Sequence, residues 1–461
     1  MSNDAHHAAG RDLARLDKEY VWHPFTQMRD WMEGEPLIIE RGEGPYLVDV
    51  EGKRYIDGVS SLWVIVHGHG KREIVEAIQA QAATLCHSTL LGLANVPSVL
   101  LAEKLVGIAP PGLSRVFYSD NGSTSVEIAL KMAYQYWQHR GEKKRTLFLS
   151  FKNGYHGDTL GAVSVGGIDL FHKVYCPLLF RSPKAPSPYC YRCPLRLEPD
   201  TCGMACVEAF EQQVKKYRDR LCAVIIEPAV QGAGGMIVQP EGFLTRIRRI
   251  AAEHGILFIA DEVATGFGRT GDLFACLGAG ISPDFLCLSK GITGGYLPLA
   301  ATMTTNEVFK GFLGEFEDFK TFFHGHTYTG NPVACAAAIA SLRLFETESV
   351  MERVTAASRL MAAGLKRLHE LPHVGDVRQK GCMAGIELVA DKKRKRPYRP
   401  AEKVGQQVVA EARKRGVILR PLGDVIVLMP PLAIEDNVLE ELLSVTYESI
   451  RAVTGAGPAK A

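Results

Sequence analysis

Short apolar runs alternate with longer segments of helical periodicity through the middle of the chain. Helical spacing is clearest over residues 125–140 and 242–254, and the apolar runs have the length of strands, at 115–119, 146–151, 222–226, 256–260 and 285–288. Because parallel strands need long crossover connections, this alternation predicts a largely parallel sheet with helices on both faces.

The two ends of the chain carry a different pattern. Residues 21–75 hold short strand-like pieces broken by glycines, and a long alanine-rich helix is predicted over 333–346. Helices mix with strand-like runs beyond that helix. We therefore expect an α/β protein whose large domain has a mostly parallel central sheet and whose smaller α+β domain combines both ends, with segments 1–75, 76–335 and 336–461.

Composition excludes several classes of function. The 461 residues are 46% hydrophobic, and 53 basic against 51 acidic side chains leave a net charge of +2. This balance gives no electrostatic case for nucleic-acid or membrane binding. The first twenty residues lack the apolar stretch of a signal peptide, and no long uninterrupted apolar run is present. We expect a cytoplasmic protein that acts on small molecules.

Four of the eleven cysteines form a cluster in the sequence. Cys190 and Cys193 are followed by Cys202 and Cys206, and four thiolates can hold zinc tetrahedrally. The alternative is a proline-rich loop with reduced thiols. The spacing of the second pair favours the loop, so no metal is assigned to these residues.

A lysine and an aspartate each follow a predicted buried strand. Lys290 comes after the run 285–288, and Asp261 ends the run 256–260. Ligands bind at the carboxyl ends of strands in an open α/β sheet. The pair suits pyridoxal 5'-phosphate (PLP), since the lysine can bond to the cofactor aldehyde and the aspartate can keep the pyridine nitrogen protonated. A buried ion pair without cofactor is the alternative reading.

The residues around this pair resemble a known family. The segments Asp261-Glu262-Val263-Ala264-Thr265-Gly266-Phe267-Gly268-Arg269 and Ser289-Lys290-Gly291 are similar to those of the class III (ω-amino) aminotransferases. The resemblance extends from Trp22 to Pro431 and implies a PLP-dependent fold type I transferase. It implies a homodimer with active sites shared between subunits.

The resemblance assigns cofactor contacts to individual residues. Lys290 carries the cofactor, Asp261 contacts the ring nitrogen, and Tyr155 and Val263 sandwich the ring. Gly122 and Ser123, between a predicted strand and helix, hold the phosphate, as a helix N-terminus would allow. His326 and Thr327 reach the phosphate of the partner subunit, although many relatives have proline at the position of His326. A direct contact of Glu227 near the ring is a further expectation.

Substrate contacts follow from the same resemblance. Lys290 and Tyr155 face the reacting substrate, and Arg420 binds a substrate carboxylate, for which a guanidinium is well suited. A salt bridge to a neighbouring acidic residue is the alternative for Arg420. Gly325 lines the pocket, and Phe25, Leu62 and Trp63 form its wall.

The likeness is strongest to the branch of the family that acts in biotin biosynthesis. It implies conversion of 7-keto-8-aminopelargonate (8-amino-7-oxononanoate) to 7,8-diaminopelargonate, with S-adenosylmethionine or lysine as amino donor. Phe25 and Leu62 replace aromatic residues typical of enzymes that use S-adenosylmethionine, so the pattern is closer to the lysine-using branch. Another ω-aminotransferase, using a diamine, β-alanine or a taurine-like donor with pyruvate, is the alternative.

Overall fold

The computed structural model describes residues 13–455. The strands of this part of the chain are β1 (Ile39–Glu43), β2 (Tyr46–Asp49), β3 (Arg54–Asp57), β4 (Leu113–Ser119), β5 (Leu147–Phe151), β6 (Lys184–Ala185), β7 (Leu221–Ile226), β8 (Val230–Gln231), β9 (Ile237–Val238), β10 (Leu257–Asp261), β11 (Phe285–Leu288), β12 (Ala300–Thr305), β13 (Val374–Lys380), β14 (Met383–Leu388), β15 (Val417–Ile418), β16 (Arg420–Leu422) and β17 (Val425–Leu428).

Helices connect and cover these strands. The longer α-helices are Arg72–Thr84, Val96–Ile108, Gly122–His139, Ala205–Tyr217, Phe243–Glu253, Pro332–Thr347, Val350–Leu365, Val404–Lys414 and Asp436–Gly455. Shorter α-helices are Met28–Glu33, Ser60–Trp63, Leu160–Val165, Asp169–His172, Ala275–Gly278 and Asn306–Lys310. Single 3-10 turns are Lys173–Leu178, Arg218–Arg220, Lys290–Thr293, Phe316–Asp318, Lys366–Glu370 and Pro400–Glu402. No helix among residues 13–455 has the length and apolar character needed to cross a membrane.

A seven-stranded sheet forms the centre of the molecule. Its order is β4-β12-β11-β10-β7-β5-β6, and only β12 runs antiparallel to its neighbours. The mostly parallel sheet expected from the sequence is thus confirmed. Strand β12 was not predicted, because its alanine and threonine residues do not form a distinctive apolar run.

Alternate residues of each central strand enter different cores. In β10, Phe258 and Ala260 belong to one buried cluster, whereas Leu257 and Ile259 belong to another on the opposite face. Strand side chains alternate between faces, so a run that is apolar throughout is buried on both sides. All five residues of β10 are buried, which explains why its sequence reads as a continuous apolar run.

Two smaller sheets combine the ends of the chain. One has the order β1-β2-β3-β15, in which β15 from the C-terminal part pairs in parallel with β3. The other has the order β13-β14-β17-β16 and packs with the helices Val350–Leu365, Val404–Lys414 and Asp436–Gly455 around a separate buried cluster. The division into segments 1–75, 76–335 and 336–461 stays a prediction, and its outermost residues lie outside those described.

Candidate active site

The predicted lysine and aspartate lie on neighbouring strands. Asp261 ends β10 and pairs in parallel register with Cys287 of β11, three residues before Lys290. Lys290 begins a 3-10 turn with a φ of 48°, a left-handed conformation that costs free energy for a residue with a β-carbon. The end of the sheet thus brings both side chains to one cavity.

The cavity has a volume of about 720 Å³, enough for a cofactor and a small substrate. It opens among the strand ends, the loop after β5, the N-terminal loop and β16. Its wall contains eleven of the predicted residues, namely Phe25, Leu62, Trp63, Gly122, Ser123, Tyr155, Glu227, Asp261, Val263, Lys290 and Arg420. His156, Phe171 and Leu422 also line it.

Lys290 projects toward an aromatic wall. Its Nζ lies 4.9 Å from the centre of the Trp63 ring. Desolvation lowers the pKa of Lys290, and the attraction of Asp261 and Glu227 opposes that shift. Because the neutral amine is the nucleophilic and basic form, the desolvated site favours reactivity at this position.

Asp261 is held by two hydrogen bonds. Its Oδ2 lies 2.7 Å from Nδ1 of the buried His156, and its Oδ1 accepts from the Val263 amide at 3.1 Å. These contacts fix the orientation of a carboxylate that is itself only 4% exposed. The sequence analysis did not assign a role to His156, although it lies next to Tyr155 in the loop after a strand.

Glu227 is a second buried carboxyl group beside the cavity. Its two oxygens accept hydrogen bonds from the amides of Tyr155 and Gly232, each at 2.9 Å. Desolvation, with a smaller contribution from the charge of Asp261, raises the pKa of Glu227 to about 8. The hydrogen bond from the Tyr155 amide to Glu227 holds the backbone of Tyr155 in place. The Tyr155 hydroxyl donates to Asp158 at 2.7 Å.

The N-terminus of helix Gly122–His139 supplies an anion site. Asn121 caps the helix by accepting from the Thr124 amide at 3.1 Å, whereas the amides of Gly122 and Ser123 have no acceptor within the helix. The Ser123 hydroxyl accepts from the Thr159 amide at 3.0 Å. A phosphate suits this position, because the helix dipole and exposed amides both favour negative charge.

Close packing explains two glycines at this end of the cavity. A β-carbon at Gly122 would lie 2.5 Å from a methyl carbon of Val263, and one at Gly157 would lie 2.3 Å from the Ser123 hydroxyl oxygen. Gly157 also has a φ of 116°, which side-chain-bearing residues rarely adopt. Both glycines let the helix N-terminus approach the strand ends.

The wall formed by Leu62 and Trp63 has an unusual backbone. Ser60, Ser61 and Trp63 all have φ values between 51° and 65°. The buried Asp57 stabilises this conformation by accepting from the Ser61 amide at 2.8 Å and from its hydroxyl at 3.0 Å. Such strain concentrates at functional sites, and here it directs Trp63 into the protein while Leu62 stays 48% exposed at the cavity wall.

Arg420 has no charged partner among residues 13–455. Among residues 13–455 its guanidinium forms no ion pair, and its Nε is buried without a hydrogen bond. Desolvation lowers the pKa of Arg420, and the nearby Tyr155 opposes that shift. The salt bridge considered from the sequence is therefore absent among the described residues.

Three predicted residues lie outside this cavity. Gly325, His326 and Thr327 do not line it, and Gly325 and Thr327 are exposed. His326 contacts the cavity indirectly, since its Nδ1 lies 2.7 Å from a carboxylate oxygen of Asp120. Their assignment to a partner subunit's site stays a prediction.

Comparison with known proteins agrees with this geometry. Residues 29–450 match the family model described as Aminotransferase class-III. The adenosylmethionine-8-amino-7-oxononanoate aminotransferase of Nitratidesulfovibrio vulgaris is 56% identical over 96% of this chain and 82% of its own length. The crystal structure of the enzyme of that name from Methanocaldococcus jannaschii is 49% identical, with a TM-score of 0.92 over 96% of this chain and 99% of the other.

A structure with a related cofactor also superimposes. The omega transaminase from Pseudomonas jessenii in complex with PMP is 33% identical, with a TM-score of 0.92 over 97% of this chain and all of the other. The match to the family model covers more than half of the chain, and the relatives are similar over nearly its full length. The chain belongs to the class III aminotransferases, a family of PLP-dependent enzymes.

Proposed function

We propose that this aminotransferase converts 8-amino-7-oxononanoate to 7,8-diaminononanoate in biotin biosynthesis. The observation that carries the proposal is the unpaired guanidinium of Arg420 at the wall of the Lys290 cavity. The substrate is a long aliphatic keto acid with one terminal carboxylate. The names of relatives 50–56% identical to this chain support the same reaction.

The residues of the cavity fit PLP. Helix amides at Gly122 and Ser123 suit its phosphate, and the carboxylate of Asp261 suits its ring nitrogen. Lys290 suits its aldehyde, while Tyr155 and Val263 would hold the two faces of the ring. When bound, PLP supplies an electron sink for the negative charge that develops on the substrate carbon.

The protein side chains supply the proton chemistry. The Lys290 amine would take the proton from the donor carbon and pass it to the former aldehyde carbon of the cofactor, and it would move a proton in the opposite direction in the second half-reaction. A lowered pKa of Lys290 keeps a larger share of the amine neutral for that task. The carboxylate of Asp261, oriented by His156, would keep a proton on the ring nitrogen.

Arg420 would set the register of the keto acid. A guanidinium binds a carboxylate through two parallel hydrogen bonds, which fix direction as well as distance. No carboxylate of the described part of the chain pairs with Arg420. Substrate binding therefore does not require an internal ion pair to break. With the carboxylate held at Arg420, an aliphatic chain along the apolar wall can place its carbonyl near Lys290.

Replacement of Arg420 by alanine should raise KM for 8-amino-7-oxononanoate far more than KM for the donor. Loss of a charge-assisted bidentate pair costs on the order of 2–4 kcal/mol, or some tens to hundreds of fold. Part of the loss should appear in kcat, because a displaced chain misplaces the carbonyl. Steady-state kinetics with each substrate varied separately measures both effects.

An esterified keto substrate provides the control for Arg420. Wild-type enzyme should use the ester about as poorly as Arg420→Ala uses the acid. If Arg420→Ala still prefers acid over ester as strongly as wild type does, another group binds the carboxylate.

Lysine should serve as amino donor at least as well as S-adenosylmethionine. The relatives' names identify adenosylmethionine as a substrate of those proteins. Here, however, Phe25 lacks a phenol and Leu62 lacks an aromatic plane, both of which suit an adenosyl sulfonium through stacking and cation–π attraction. The absorbance change of the bound cofactor on mixing with each donor measures the first half-reaction. A large change with S-adenosylmethionine and none with lysine would contradict this expectation.

We infer that the enzyme works as a cytoplasmic homodimer with shared sites. Several large apolar side chains are more than half exposed on one chain, including Leu91, Leu93, Val96, Phe316 and Phe323. A second copy would bury such surface. All eleven cysteines are free thiols, as expected in a reducing compartment.

A further inference from the structure

A second cavity collects the four clustered cysteines. Cys190, Cys193, Cys202 and Cys206 all border a space of about 130 Å³ remote in sequence from the Lys290 site. Each thiol is free and half-buried. The C-x-x-C spacing of the first pair is typical of structural zinc sites, whereas the C-x-x-x-C spacing of the second pair is less common.

The loop that carries Cys190, Cys193 and Cys202 has no regular secondary structure. Residues 186–204 contain no helix or strand, and Arg196, Gly203 and Met204 all have φ values between 55° and 61°. The first half of the loop is attached to the rest of the protein, because Ser187 donates to Gln231 and Arg192 pairs with Glu387.

The second half of the loop is held mainly by local contacts. The amides of Thr201 and Cys202 both donate to the carbonyl of Glu198, at 3.2 and 3.0 Å. One longer bond reaches it from outside, from Arg246 to the carbonyl of Gly203 at 3.4 Å. Long loops without secondary structure in compact proteins are usually functional, unless they are linkers or disordered segments.

We propose that Cys190, Cys193, Cys202 and Cys206 bind one zinc ion that fixes this loop. Zinc accepts four thiolates in a tetrahedron, and binding releases the thiol protons to solvent. The site is structural, since four protein ligands leave no position for a substrate. This proposal is independent of the transamination reaction proposed above.

Binding requires local rotation of the cysteine side chains. Among residues 13–455, no three metal-binding side chains already surround a common point at coordination distance. A cysteine side chain turns about a single torsion, and all four cysteines border one shared space.

Zinc analysis of the purified enzyme tests the proposal. The wild-type chain, expressed with added zinc and purified without chelator, should carry about one zinc per chain by plasma mass spectrometry. The double variant Cys202→Ser, Cys206→Ser should carry less than a tenth. The variant Cys176→Ser, which removes an exposed cysteine outside the cluster, should retain the wild-type amount.

A second measurement covers the case in which the double variant does not fold. Titration of the wild-type protein with an organomercurial should release one zinc ion for every four cluster thiols that are modified. Trypsin should cleave after Arg196 only once a chelator has removed the metal. A wild-type chain with less than a tenth of an equivalent of zinc, or with these cysteines joined as disulfides, would overturn the proposal. Full zinc retention in a folded double variant would do so as well.

Discussion

Replacing Lys290 by alanine should abolish turnover and the adduct that borohydride traps between the cofactor and the protein. The substitution removes both the covalent attachment and the general base, so the rate should fall by more than about 10³-fold. The other lysines of the described chain do not line the cavity that contains Asp261. Peptide mapping of borohydride-reduced wild type should place the label on Lys290.

A second buried lysine makes this mapping informative. Desolvation lowers the pKa of Lys184 to about 7, so it is also a candidate for reaction with an aldehyde. Its Nζ, however, donates to Ser150, Ser182 and the Ser164 carbonyl away from the cavity. Label on Lys184 or any lysine other than Lys290 would refute the assignment. Partial recovery of Lys290→Ala with added ethylamine would separate loss of the amine from loss of folding.

The substitution Asp261→Asn should leave the cofactor bound but slow both half-reactions severely. A neutral amide cannot stabilise a positively charged ring nitrogen, so proton affinity at that nitrogen falls. Removing one partner of a buried charge pair costs about 3–5 kcal/mol, or roughly 10²–10⁴-fold in rate. Rapid-mixing spectroscopy of each half-reaction measures the effect.

Two features of the site should limit the side effects of the Asp261→Asn substitution. The phosphate contacts proposed for Gly122 and Ser123 do not involve Asp261, so the cofactor content of Asp261→Asn should stay near that of wild type. An Asn side chain can also keep a hydrogen bond to His156, which limits structural change. Near-normal rates in single turnovers would show that Asp261 has only a structural role.

The sequence predicted the parts of the site that depend on strand ends. The apolar runs before Asp261 and Lys290 correspond to β10 and β11, with bounds that agree within one residue. Strand ends of a parallel sheet lie at one edge, so the convergence of the two side chains could be anticipated. The position of Gly122 and Ser123 at a strand-to-helix turn was recognisable for the same reason, although the residue that caps the helix, Asn121, was not.

Other features depend on contacts between segments far apart in the chain. The bond between His156 and Asp261 joins residues 105 positions apart, and no local pattern indicates it. The lack of an ion-pair partner for Arg420 likewise required the surrounding structure. The antiparallel direction of β12 follows a turn in which Gly294 and Gly295 both have positive φ values, a detail that apolar spacing does not record.

The spacing of the four cysteines along the chain does not show whether they come together in the fold. A loop with reduced thiols and a zinc site share the same sequence pattern. In the structure all four cysteines border one cavity, together with residues as distant as Pro240. This common cavity favours the zinc site over the loop with reduced thiols.

The central claim is that this enzyme aminates 8-amino-7-oxononanoate, and a single-turnover competition tests it most directly. Enzyme carrying the amino form of the cofactor is mixed with equal concentrations of 8-amino-7-oxononanoate and pyruvate, and products are quantified by mass spectrometry. We expect 7,8-diaminononanoate in an amount close to that of the active sites, with little alanine. Alanine as the main product, with the keto acid unchanged, would contradict the proposed function and favour an ω-aminotransferase that uses pyruvate.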